Sequence, residues 1–452
     1  MMVSGVSMWK LLYNIGLLLA APVIVGILLA KSRCRPGFSQ RMGWQSHPPN
    51  GGGSPQPIIW VHAVSLGEVV AAAPLVKALH AQHPECRYIV TTVTETGREA
   101  VEQRLGGIAE HRYAPLDFSW AVARMVRRLQ PVLYVFVETE LWPNLLWTLR
   151  KQGVPSVLVN GRLSSRSFRR QDLPWIRSFY RSVLQGLTLC LMQSERDRQR
   201  IVALGAEPSR AHVTGNIKFD QPRSDVRSDE SLRQSFGLDE HEQLILAGST
   251  HAGEEELLVS AYRHIVKTYS TTVLMLAPRH IERADRVEAV LREAGFAVQR
   301  RSRIQEKQSG PRVIILDTRG ELSRAYREAV VAFVGGTLIP VGGHNLLEPA
   351  VWGTPVMFGP YTDHCAEVAA LLSEAGGGRR VMGVEDLVTS LEEWLGQPET
   401  RHRVGQVARQ VVLDNQGALT RSLEFIETCF RAAPSYSDSC VATGPGPLMA
   451  KH

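Results

Sequence analysis

Several common signatures of enzyme chemistry are absent from this chain of 452 residues. Its six cysteines are scattered without a C-x-x-C pair, which excludes a disulfide framework or a cysteine zinc site and is typical of a reducing compartment. The sequence also contains no Asp-x-Asp, Walker A, H-E-x-x-H or G-x-S-x-G motif. Metal-dependent diphosphate chemistry and serine hydrolysis are therefore disfavoured, and we expect neither a metal site nor a cofactor.

Charge is distributed unevenly along the chain. Residues 1–220 contain 26 Lys+Arg against 14 Asp+Glu, a net charge of +12, whereas residues 221–452 contain 25 against 30, a net charge of −5. A basic half suits an anionic partner, either nucleic acid or phospholipid headgroups. Because the chain has no aromatic-basic RNA-binding signature and no zinc-finger spacing, we expect membrane phospholipids as partners and no nucleic acid.

One long apolar run lies near the N-terminus. Residues 11–30 carry no charge, and a helix of that length matches a hydrocarbon core of about 30 Å. Basic residues follow the run at 31, 33, 35 and 41 and only one precedes it, so the positive-inside bias predicts a cytoplasmic location for the rest of the chain. We assign residues 1–35 to a membrane anchor. It is either a single span, a shallow interfacial helix, since Tyr13, Asn14 and Pro22 interrupt the run, or a cleaved signal peptide.

The remainder of the chain alternates short apolar runs with helical patterns, after a Gly/Pro-rich spacer at residues 48–57. This alternation predicts an α/β fold with buried parallel strands at 57–62, 87–92, 132–137, 156–160, 244–247, 272–276, 312–316, 330–334 and 355–358. A charged stretch at residues 221–243 predicts a hinge. We therefore expect two doubly wound, Rossmann-like domains at 36–220 and 221–431 and a disordered tail at 432–452, with ligands in the cleft between the domains.

The most informative window is residues 335–349, which read GGTLIPVGGHNLLEP. It follows the predicted strand at 330–334 and precedes a segment of helical length, so its glycines fall where a phosphate can approach the N–H groups at a helix N-terminus. Glu348 would lie about one turn into that helix and accept hydrogen bonds from a ribose diol. The alternative is an ordinary strand-turn-helix connection with glycines for tight packing.

A second candidate is Glu68, in the sequence HAVSLGE at residues 62–68. It follows the first predicted strand at a positive helix end, where we expect the carboxylate to remain ionised at neutral pH and to act as a general base. The alternative is a structural role in capping the helix, because Ser65 and Glu68 have the spacing of a capping box, in which the glutamate bonds a backbone N–H.

Further polar residues follow other predicted strands. Ser249 and Thr250 either bind a phosphate or cap the helix predicted at 252–266, and Arg279 with its neighbour His280 is either a phosphate ligand or a solvated loop cation.

In the first half, Glu138 and Glu140 either bind sugar hydroxyls or are simple helix N-terminal acids. A basic run that includes Arg162 and Arg166 either meets phosphorylated lipid headgroups or is a solvated face. Lys218 either faces the cleft or forms a salt bridge with Asp220.

Taken together, these residues resemble those of the Kdo transferases of lipopolysaccharide biosynthesis, which are membrane-anchored glycosyltransferases of the GT-B fold. The resemblance extends from the anchor to about residue 430. It is carried in order by HAVSLGE at 62–68, ETELWPN at 138–144, NGRLSSRS at 160–167, GNIKFD at 215–220, AGSTHAGEE at 247–255, APRH at 277–280 and GGHNLLEPA at 342–350.

The resemblance implies inverting transfer of 3-deoxy-D-manno-oct-2-ulosonic acid (Kdo) from CMP-Kdo to a lipid A precursor, on the cytoplasmic face of the inner membrane. It implies Glu68 as the catalytic base. The donor-binding candidates are Ser249, Thr250, Arg279, His280, Gly343, Asn345 and Glu348. The acceptor-binding candidates, all in the first domain, are Ser65, Gly67, Glu138, Glu140, Arg162, Arg166 and Lys218.

Two other functions remain open on the sequence alone. Nucleotide-sugar 2-epimerases share the two-domain architecture and a Gly-rich nucleotide loop, but they are soluble and have no need of the apolar run or the basic half. A catalytically silent lipid-binding protein would release no CMP from a mixture of donor and acceptor.

Overall fold

The computed structural model describes residues 3–30, 37–44, 56–220, 231–304 and 312–431. The chain divides into two compact units, residues 1–221 together with 416–452 (unit 1) and residues 222–415 (unit 2). The predicted disordered tail at 432–452 and most of the predicted spacer at 48–57 lie outside the described residues.

Unit 1 is built on a parallel sheet in which seven strands are described, in the order β3-β2-β1-β4-β5-β6-β7. The strands are β1 (Ile58–His62), β2 (Arg87–Thr92), β3 (Ala109–Tyr113), β4 (Pro131–Val137), β5 (Ser156–Gly161), β6 (Leu189–Met192) and β7 (Ala211–Val213). Its helices are α1 (Val3–Ala30), α2 (Phe38–Arg41), α3 (Leu66–Gln82), α4 (Glu95–Leu105), α5 (Ser119–Leu129), α6 (Pro143–Lys151), α7 (Ser165–Gln171), α8 (Pro174–Leu184) and α9 (Glu195–Ala203), and the last helix of the described chain, given below, packs here too.

Unit 2 repeats this architecture, with seven described strands in the order β10-β11-β9-β8-β12-β13-β14. They are β8 (Gln243–Thr250), β9 (Thr272–Pro278), β10 (Ala297–Arg300), β11 (Arg312–Ile315), β12 (Ala329–Val334), β13 (Val356–Phe358) and β14 (Gly378–Arg380). The remaining helices are α10 (Ser231–Ser235), α11 (Glu254–Thr268), α12 (Ala284–Glu293), α13 (Leu322–Glu328), α14 (Leu347–Ala350), α15 (Ala366–Ala375), α16 (Val384–Gly396), α17 (Pro398–Asp414) and α18 (Ala418–Arg431).

The central strands are buried on both faces because helices cover each side of the sheets. Every residue of β1, β4, β5 and β9 is buried, and these strands read as continuous apolar runs as expected for parallel sheets. The strand order reverses between β1 and β4 in unit 1 and between β8 and β12 in unit 2. Ligands of such sheets bind outside the carboxyl ends of the strands at these switch points.

Two of the predicted boundaries differ from the structure. Part of the predicted hinge at 221–243 forms α10, and Leu232 and Phe236 are buried in the core of unit 2, so that stretch contains more apolar packing than its charge indicates. Helix α18, assigned to the second domain from the sequence, belongs to unit 1, where the carboxylate of Asp220 accepts hydrogen bonds from the backbone N–H groups of Gly417 (2.6 Å) and Leu419 (2.6 Å).

Candidate active site

Glu68 lies in the first turn of α3, directly after β1 at the switch point of unit 1. Its side chain is almost entirely buried. One carboxylate oxygen accepts a hydrogen bond from the backbone N–H of Val64 at 2.7 Å, and the other accepts one from the hydroxyl of Ser65 at 3.2 Å. The predicted capping box is not formed, because Glu68 ties back to the N–H of Val64 rather than to that of the N-cap Ser65, and Ser65 makes no capping hydrogen bond to the helix.

The electrostatic setting of Glu68 differs from the prediction. The pKa of its carboxyl is raised to about 7, mainly by burial and in smaller part by the nearby carboxylates of Glu138 and Glu140, against the lowering effect of the hydrogen bonds from Val64 and Ser65. The expectation that this group stays ionised at neutral pH was wrong, because desolvation outweighs the helix end. A carboxyl group that titrates near neutrality is well suited to take up a proton.

Glu138 follows β4, the neighbour of β1, and adopts a left-handed backbone conformation with φ 60°. Non-glycine residues rarely hold positive φ unless the surrounding structure imposes it. Here the N–H of Glu138 donates to the carbonyl of Val159 on β5 (3.0 Å), and its carboxylate pairs with the ammonium of Lys218 at 3.2 Å. The predicted alternative pairing of Lys218 with Asp220 was wrong, because Asp220 is engaged by the N-terminus of α18.

The other acceptor candidates lie around this pair. Glu140 is exposed, and helix α6 begins only at Pro143, so neither Glu138 nor Glu140 is a helix N-terminal acid. The hydroxyl of Thr139 accepts from the backbone N–H of Arg162 at 3.1 Å, which places the end of β5 beside the end of β4. Gly67 is exposed with open space where a Cβ would stand. The side chain of Arg166 lies outside the described residues.

Sequence reasoning missed two buried groups at the same edge. Asn160, at the end of β5 with φ 57°, accepts from the backbone N–H of Ile217 (3.1 Å), while its amide nitrogen has no hydrogen-bond partner within the described residues. His62, at the end of β1, bonds Thr91 through Nδ1 (2.9 Å), and burial lowers its pKa to about 4. Both residues end a predicted strand, which is the signal that would have found them.

In unit 2, Ser249 and Thr250 differ in whether their hydroxyl groups are hydrogen-bonded within the protein. Helix α11 begins at Glu254 with Gly253 as its N-cap, so neither residue caps it. The hydroxyl of Thr250 is buried and donates to Glu255 at 3.0 Å, which makes it a structural group. Ser249 has φ 57°, and its hydroxyl makes no hydrogen bond within the described part of the chain, so it is available to a ligand.

The first part of the glycine-rich window is occupied by a carboxylate of the protein. Glu254 accepts hydrogen bonds from the backbone N–H groups of Gly336 (2.7 Å), Thr337 (3.0 Å) and Leu338 (3.0 Å), so these three donors are not available to an anion. The helix after the window, α14, has only four residues. The phosphate site at the start of that helix remains a prediction.

In the second half of the window, Glu348 is the second residue of α14 and does not lie one turn into a helix as predicted. Gly343 has φ 84°, and a Cβ there would stand 2.8 Å from the sulfur of Cys365, so the turn requires glycine. The amide nitrogen of Asn345 donates to Glu348 at 3.3 Å, and its amide oxygen accepts from the backbone N–H of Leu347 at 3.1 Å. Asn345 and Glu348 therefore form one polar unit after β12.

A pair of imidazoles, one of which adjoins this unit in the sequence, was not recognised by the sequence reasoning, which named only Arg279 and His280 nearby. The imidazoles of His251, after β8, and His344, after β12, are stacked with Nε2 atoms 2.8 Å apart. Burial is the main cause that lowers the pKa of both, to about 4 for His344, and the positive charge of Arg279 acts in the same direction. Arg279 itself is exposed after β9 and pairs with no carboxylate among the described residues. Unit 2 thus presents an exposed cation, Arg279, at the end of β9, which is suited to contact an anion.

Comparison with known proteins identifies the family. A family model for 3-deoxy-D-manno-octulosonic-acid transferase (kdotransferase) matches residues 36–221. The chain is similar to 3-deoxy-D-manno-octulosonic acid transferase of Haemophilus influenzae, with 35% identity over 93% of this chain and 98% of that protein. The Bordetella pertussis protein of the same name is 34% identical over 83% of this chain and 89% of its own length.

The solved structure of UDP-GlcNAc 2-epimerase from Neisseria meningitidis aligns with a TM-score of 0.57 at 14% identity, over 82% of this chain and all of that chain. Such a likeness shows the fold alone, and with the two doubly wound sheets it confirms the predicted GT-B fold. Because sequence identity of 35% extends over nearly the whole length of both proteins, the chain belongs to the 3-deoxy-D-manno-octulosonic acid transferase family, the glycosyltransferases that add Kdo in lipopolysaccharide biosynthesis.

Proposed function

We propose that this transferase moves Kdo from CMP-Kdo to a lipid A precursor, lipid IVA, with inversion at the anomeric carbon and with Glu68 as the general base. The observation that carries the proposal is the state of Glu68, a buried carboxyl at the unit 1 switch point whose pKa is about 7. A general base works best when its pKa lies near the working pH, because it is then both ionised often enough and basic enough.

The proposed reaction is a single displacement. The Glu68 carboxylate removes the proton of an acceptor hydroxyl while that oxygen bonds to the anomeric carbon of Kdo. The bond from this carbon to the phosphate oxygen breaks, and its electron pair leaves with CMP. Attack from the face opposite the leaving group inverts the configuration. The negative charges of Glu138 and Glu140 support this role, because they favour the protonated form of Glu68 that results.

Unit 2 is proposed to bind the donor. CMP-Kdo carries a phosphate and a carboxylate, and the exposed guanidinium of Arg279 offers charge of the opposite sign. The imidazoles of His251 and His344, whose pKa values are lowered by burial, offer hydrogen bonds rather than charge. A charge-assisted hydrogen bond from an arginine to phosphate is among the stronger polar contacts in proteins. Ser249 and the Asn345–Glu348 unit add neutral and anionic groups for sugar hydroxyls, with Gly343 holding the turn and His280 at its rim.

Unit 1 is proposed to bind the acceptor. Glu138 and Glu140 accept hydrogen bonds from sugar hydroxyls, and Lys218 and Arg162 bind phosphate. Lys218 also holds Glu138 in place through their ion pair, which supports a fixed geometry at the base. Ser65 positions the Glu68 carboxylate, and the exposed Gly67 leaves room for the incoming hydroxyl.

The proposed leaving-group site consists of protein side chains, with no metal ion or other cofactor taking part. We therefore expect EDTA to change the transfer rate little, and a strict requirement for a divalent cation would contradict this part of the proposal. The basic residues that follow the apolar run favour the cytoplasmic side of the inner membrane for both units.

The experiment that tests the proposal is direct product analysis. Purified protein is incubated with CMP-Kdo and a tetraacylated, bisphosphorylated lipid A precursor, and the lipid is weighed by mass spectrometry. We expect a mass increase of one or more Kdo residues together with stoichiometric CMP. CMP release that does not depend on the lipid, or no lipid product at all, would contradict the proposed acceptor.

A further inference from the structure

Helix α11 of unit 2 begins with three consecutive glutamates, of which two are buried. Glu254 has no exposed surface and Glu255 is 2% exposed, whereas Glu256 lies on the surface. Glu256 accepts a hydrogen bond from the backbone N–H of the N-cap Gly253 at 3.1 Å. This is the ordinary role of an acidic residue in a first helical turn, and it does not explain why Glu254 and Glu255 are buried.

The carboxylate of Glu254 joins the segments that follow β8 and β12. Its Oε2 accepts hydrogen bonds from the backbone N–H groups of His251 at 3.0 Å and Gly336 at 2.7 Å. Its Oε1 accepts from those of Thr337 and Leu338, both at 3.0 Å. A carboxylate offers about four acceptor positions and no donor, so the protein uses the whole hydrogen-bonding capacity of this side chain.

The segment that Glu254 holds contacts the turn of the candidate site. The carbonyl of Gly336 accepts a hydrogen bond from the backbone N–H of Gly343 at 2.7 Å. A Cβ added at Gly336 would stand 3.1 Å from the ring of His344, so this backbone packs against that imidazole. His344 stacks in turn on His251, whose own N–H bonds Glu254. One carboxylate therefore fixes the backbone that supports both imidazoles.

Glu255 makes the corresponding connection between β8 and the segment after β9. Its Oε1 accepts from the hydroxyl of Thr250 at 3.0 Å, and its two oxygens accept from the guanidinium of Arg283 at 2.9 and 3.2 Å. The backbone N–H of Arg283 donates to the carbonyl of His280 at 3.0 Å. The backbone N–H of Arg279 donates to the carbonyl of Thr250, also at 3.0 Å. The segment that carries Arg279 is thus tied to β8 at both of its ends.

Stability alone does not account for two adjacent buried carboxylates. Removing a carboxylate from water carries a large desolvation penalty, and apolar side chains of similar volume often stabilise the same packing as well or better. Four backbone N–H bonds and a bidentate guanidinium contribute something that apolar packing does not, which is a fixed direction for each attached segment. The contacts of Glu254 and Glu255 therefore indicate a role in the geometry of the site.

We propose that Glu254 and Glu255 are positioning residues for the donor, which hold three strand-end segments of unit 2 in the arrangement that binds CMP-Kdo. The segments carry Ser249 and His251 at the end of β8, Arg279 after β9, and His344 and Asn345 after β12. Neither carboxylate contacts the donor itself in this proposal. The inference rests on the donor site proposed above for unit 2 and adds the residues that set its geometry.

Glu254→Gln tests the first half of the proposal without changing the size of the side chain. An amide has one acceptor oxygen and an NH₂ group, so two of the four backbone N–H groups would face a donor instead of an oxygen. We expect the KM for CMP-Kdo to rise at least about tenfold, because a site that is no longer preorganised binds more weakly. The Kd for CMP, measured by calorimetry without the lipid, should rise by a similar factor, and the KM for the lipid acceptor should not change.

Glu255→Gln and Arg283→Lys test the second half. The first removes the charge that faces Arg283, and the second keeps that charge but loses the planar fork that matches a carboxylate. We expect each to raise the KM for CMP-Kdo by about threefold to tenfold. Glu256→Gln is the matched control, since it lies in the same helical turn, is exposed and keeps an oxygen for the Gly253 N–H. It should behave like the parent protein.

A purely structural role gives a different result. It would lower the melting temperature and the fraction of active protein, but the molecules that remain folded would bind the donor with the KM and Kd of the parent. Parent values in the folded variants would therefore overturn the proposal. If Glu254→Gln does not fold, Glu255→Gln and Arg283→Lys decide, because the side chain of Arg283 is 23% exposed and its replacement by lysine is mild.

Arg279→Ala separates the failure of this inference from the failure of the donor site itself. A KM for CMP-Kdo that rises in Arg279→Ala but not in the variants at Glu254, Glu255 and Arg283 would overturn the positioning role and leave the donor site in place. A KM that equals that of the parent in all of these variants would contradict the donor site in unit 2, and the positioning role with it.

Discussion

The two switch points of this protein share one sheet architecture but carry opposite charge. In unit 1, the ends of β1 and β4 present the carboxyl groups of Glu68, Glu138 and Glu140. Burial, together with the charges of neighbouring carboxylates, raises the pKa of Glu68 and of Glu140. In unit 2, the ends of β8, β9 and β12 present Arg279 and a pair of imidazoles whose pKa values are lowered. The comparison indicates that one fold can hold a proton acceptor at one switch point and an anion site at the other.

The local charges are opposite to those of the chain halves. Residues 1–220 have a net charge of +12, but carboxyl groups follow β1 and β4. Residues 221–452 have a net charge of −5, but the cation Arg279 follows β9. Net charge therefore informs on the surface and its partners, such as a membrane, and not on the chemistry of a buried site.

We expect the largest effect on activity from replacing Glu68 in unit 1. Glu68→Gln keeps the size of the side chain and an oxygen for the Val64 N–H but removes the base. We expect the turnover number to fall by about 10³-fold or more, with CMP-Kdo affinity nearly unchanged, because base catalysis alone contributes about 10² to 10⁴. Glu102→Gln, at an exposed carboxylate on α4, is the matched control. Turnover of Glu68→Gln within tenfold of the parent would make the base assignment wrong.

In unit 2, Arg279→Ala removes an exposed guanidinium that pairs with no carboxylate among the described residues. We expect the KM for CMP-Kdo to rise by about 10²-fold, which corresponds to about 2.7 kcal/mol and is in the range of a charged hydrogen bond. Arg292→Ala removes an equally exposed arginine from an i,i+4 pair on α12 and should leave the KM unchanged. Steady-state kinetics with varied donor measures both, and equal effects of the two substitutions would contradict an anion site at Arg279.

A smaller effect is expected from the turn that carries the unit 2 site. Gly343→Ala meets both a positive φ and the sulfur of Cys365, whereas Gly376→Ala meets a similar φ of 80° with no atom within 4 Å. We expect the first substitution to lower the free energy of unfolding by about 1–3 kcal/mol more than the second, since only it adds overpacking. Denaturant titration of both variants measures the difference. Equal losses would mean that backbone conformation alone requires glycine at 343.

The smallest expected effect is on the free energy of unfolding, which depends on whether Glu68 is protonated. Because the folded protein raises the pKa of Glu68 from 4.5 to about 7, the folded state binds a proton that the unfolded chain has released between these pH values. Stability contributed by that proton is present below about pH 4.5 and is lost as the pH rises through about 7. We therefore expect Glu68→Gln to be more stable than the parent by about 1–2 kcal/mol at pH 8 and equal to it at pH 4.5. Thermal melts at the two pH values test this, and a destabilised variant at pH 8 would contradict it.

The central strands could be predicted from the sequence because burial on both faces leaves an uninterrupted apolar run. All nine predicted strands are present, with boundaries shifted by at most three residues. Of the five strands that were missed, β3, β7, β10 and β14 lie at sheet edges. Edge strands such as β10, with the sequence AVQR, are partly exposed and therefore carry polar residues that hide the pattern.

The positions of the candidate residues other than Lys218 were predictable for the same reason, since each follows the end of a predicted strand. The ion-pair and stacking partners of these residues could not be predicted. The ion pair of Lys218 with Glu138 and the stacking of His251 on His344 join residues 80 and 93 positions apart, and no local spacing indicates such contacts. The occupation of the glycine-loop N–H groups by Glu254 was equally hidden, because it depends on how α11 packs beneath the loop.

The most direct test of the account is the pH dependence of the turnover number for the parent protein and for Glu138→Gln. The account predicts that turnover falls on the acid side with an apparent pKa near 7, as Glu68 becomes protonated. Replacing Glu138 by an uncharged residue removes a charge that raises this pKa, so the acid limb should move to lower pH. A turnover number that is constant between pH 5.5 and 8.5, or an acid limb that does not move in the variant, would contradict Glu68 as the base.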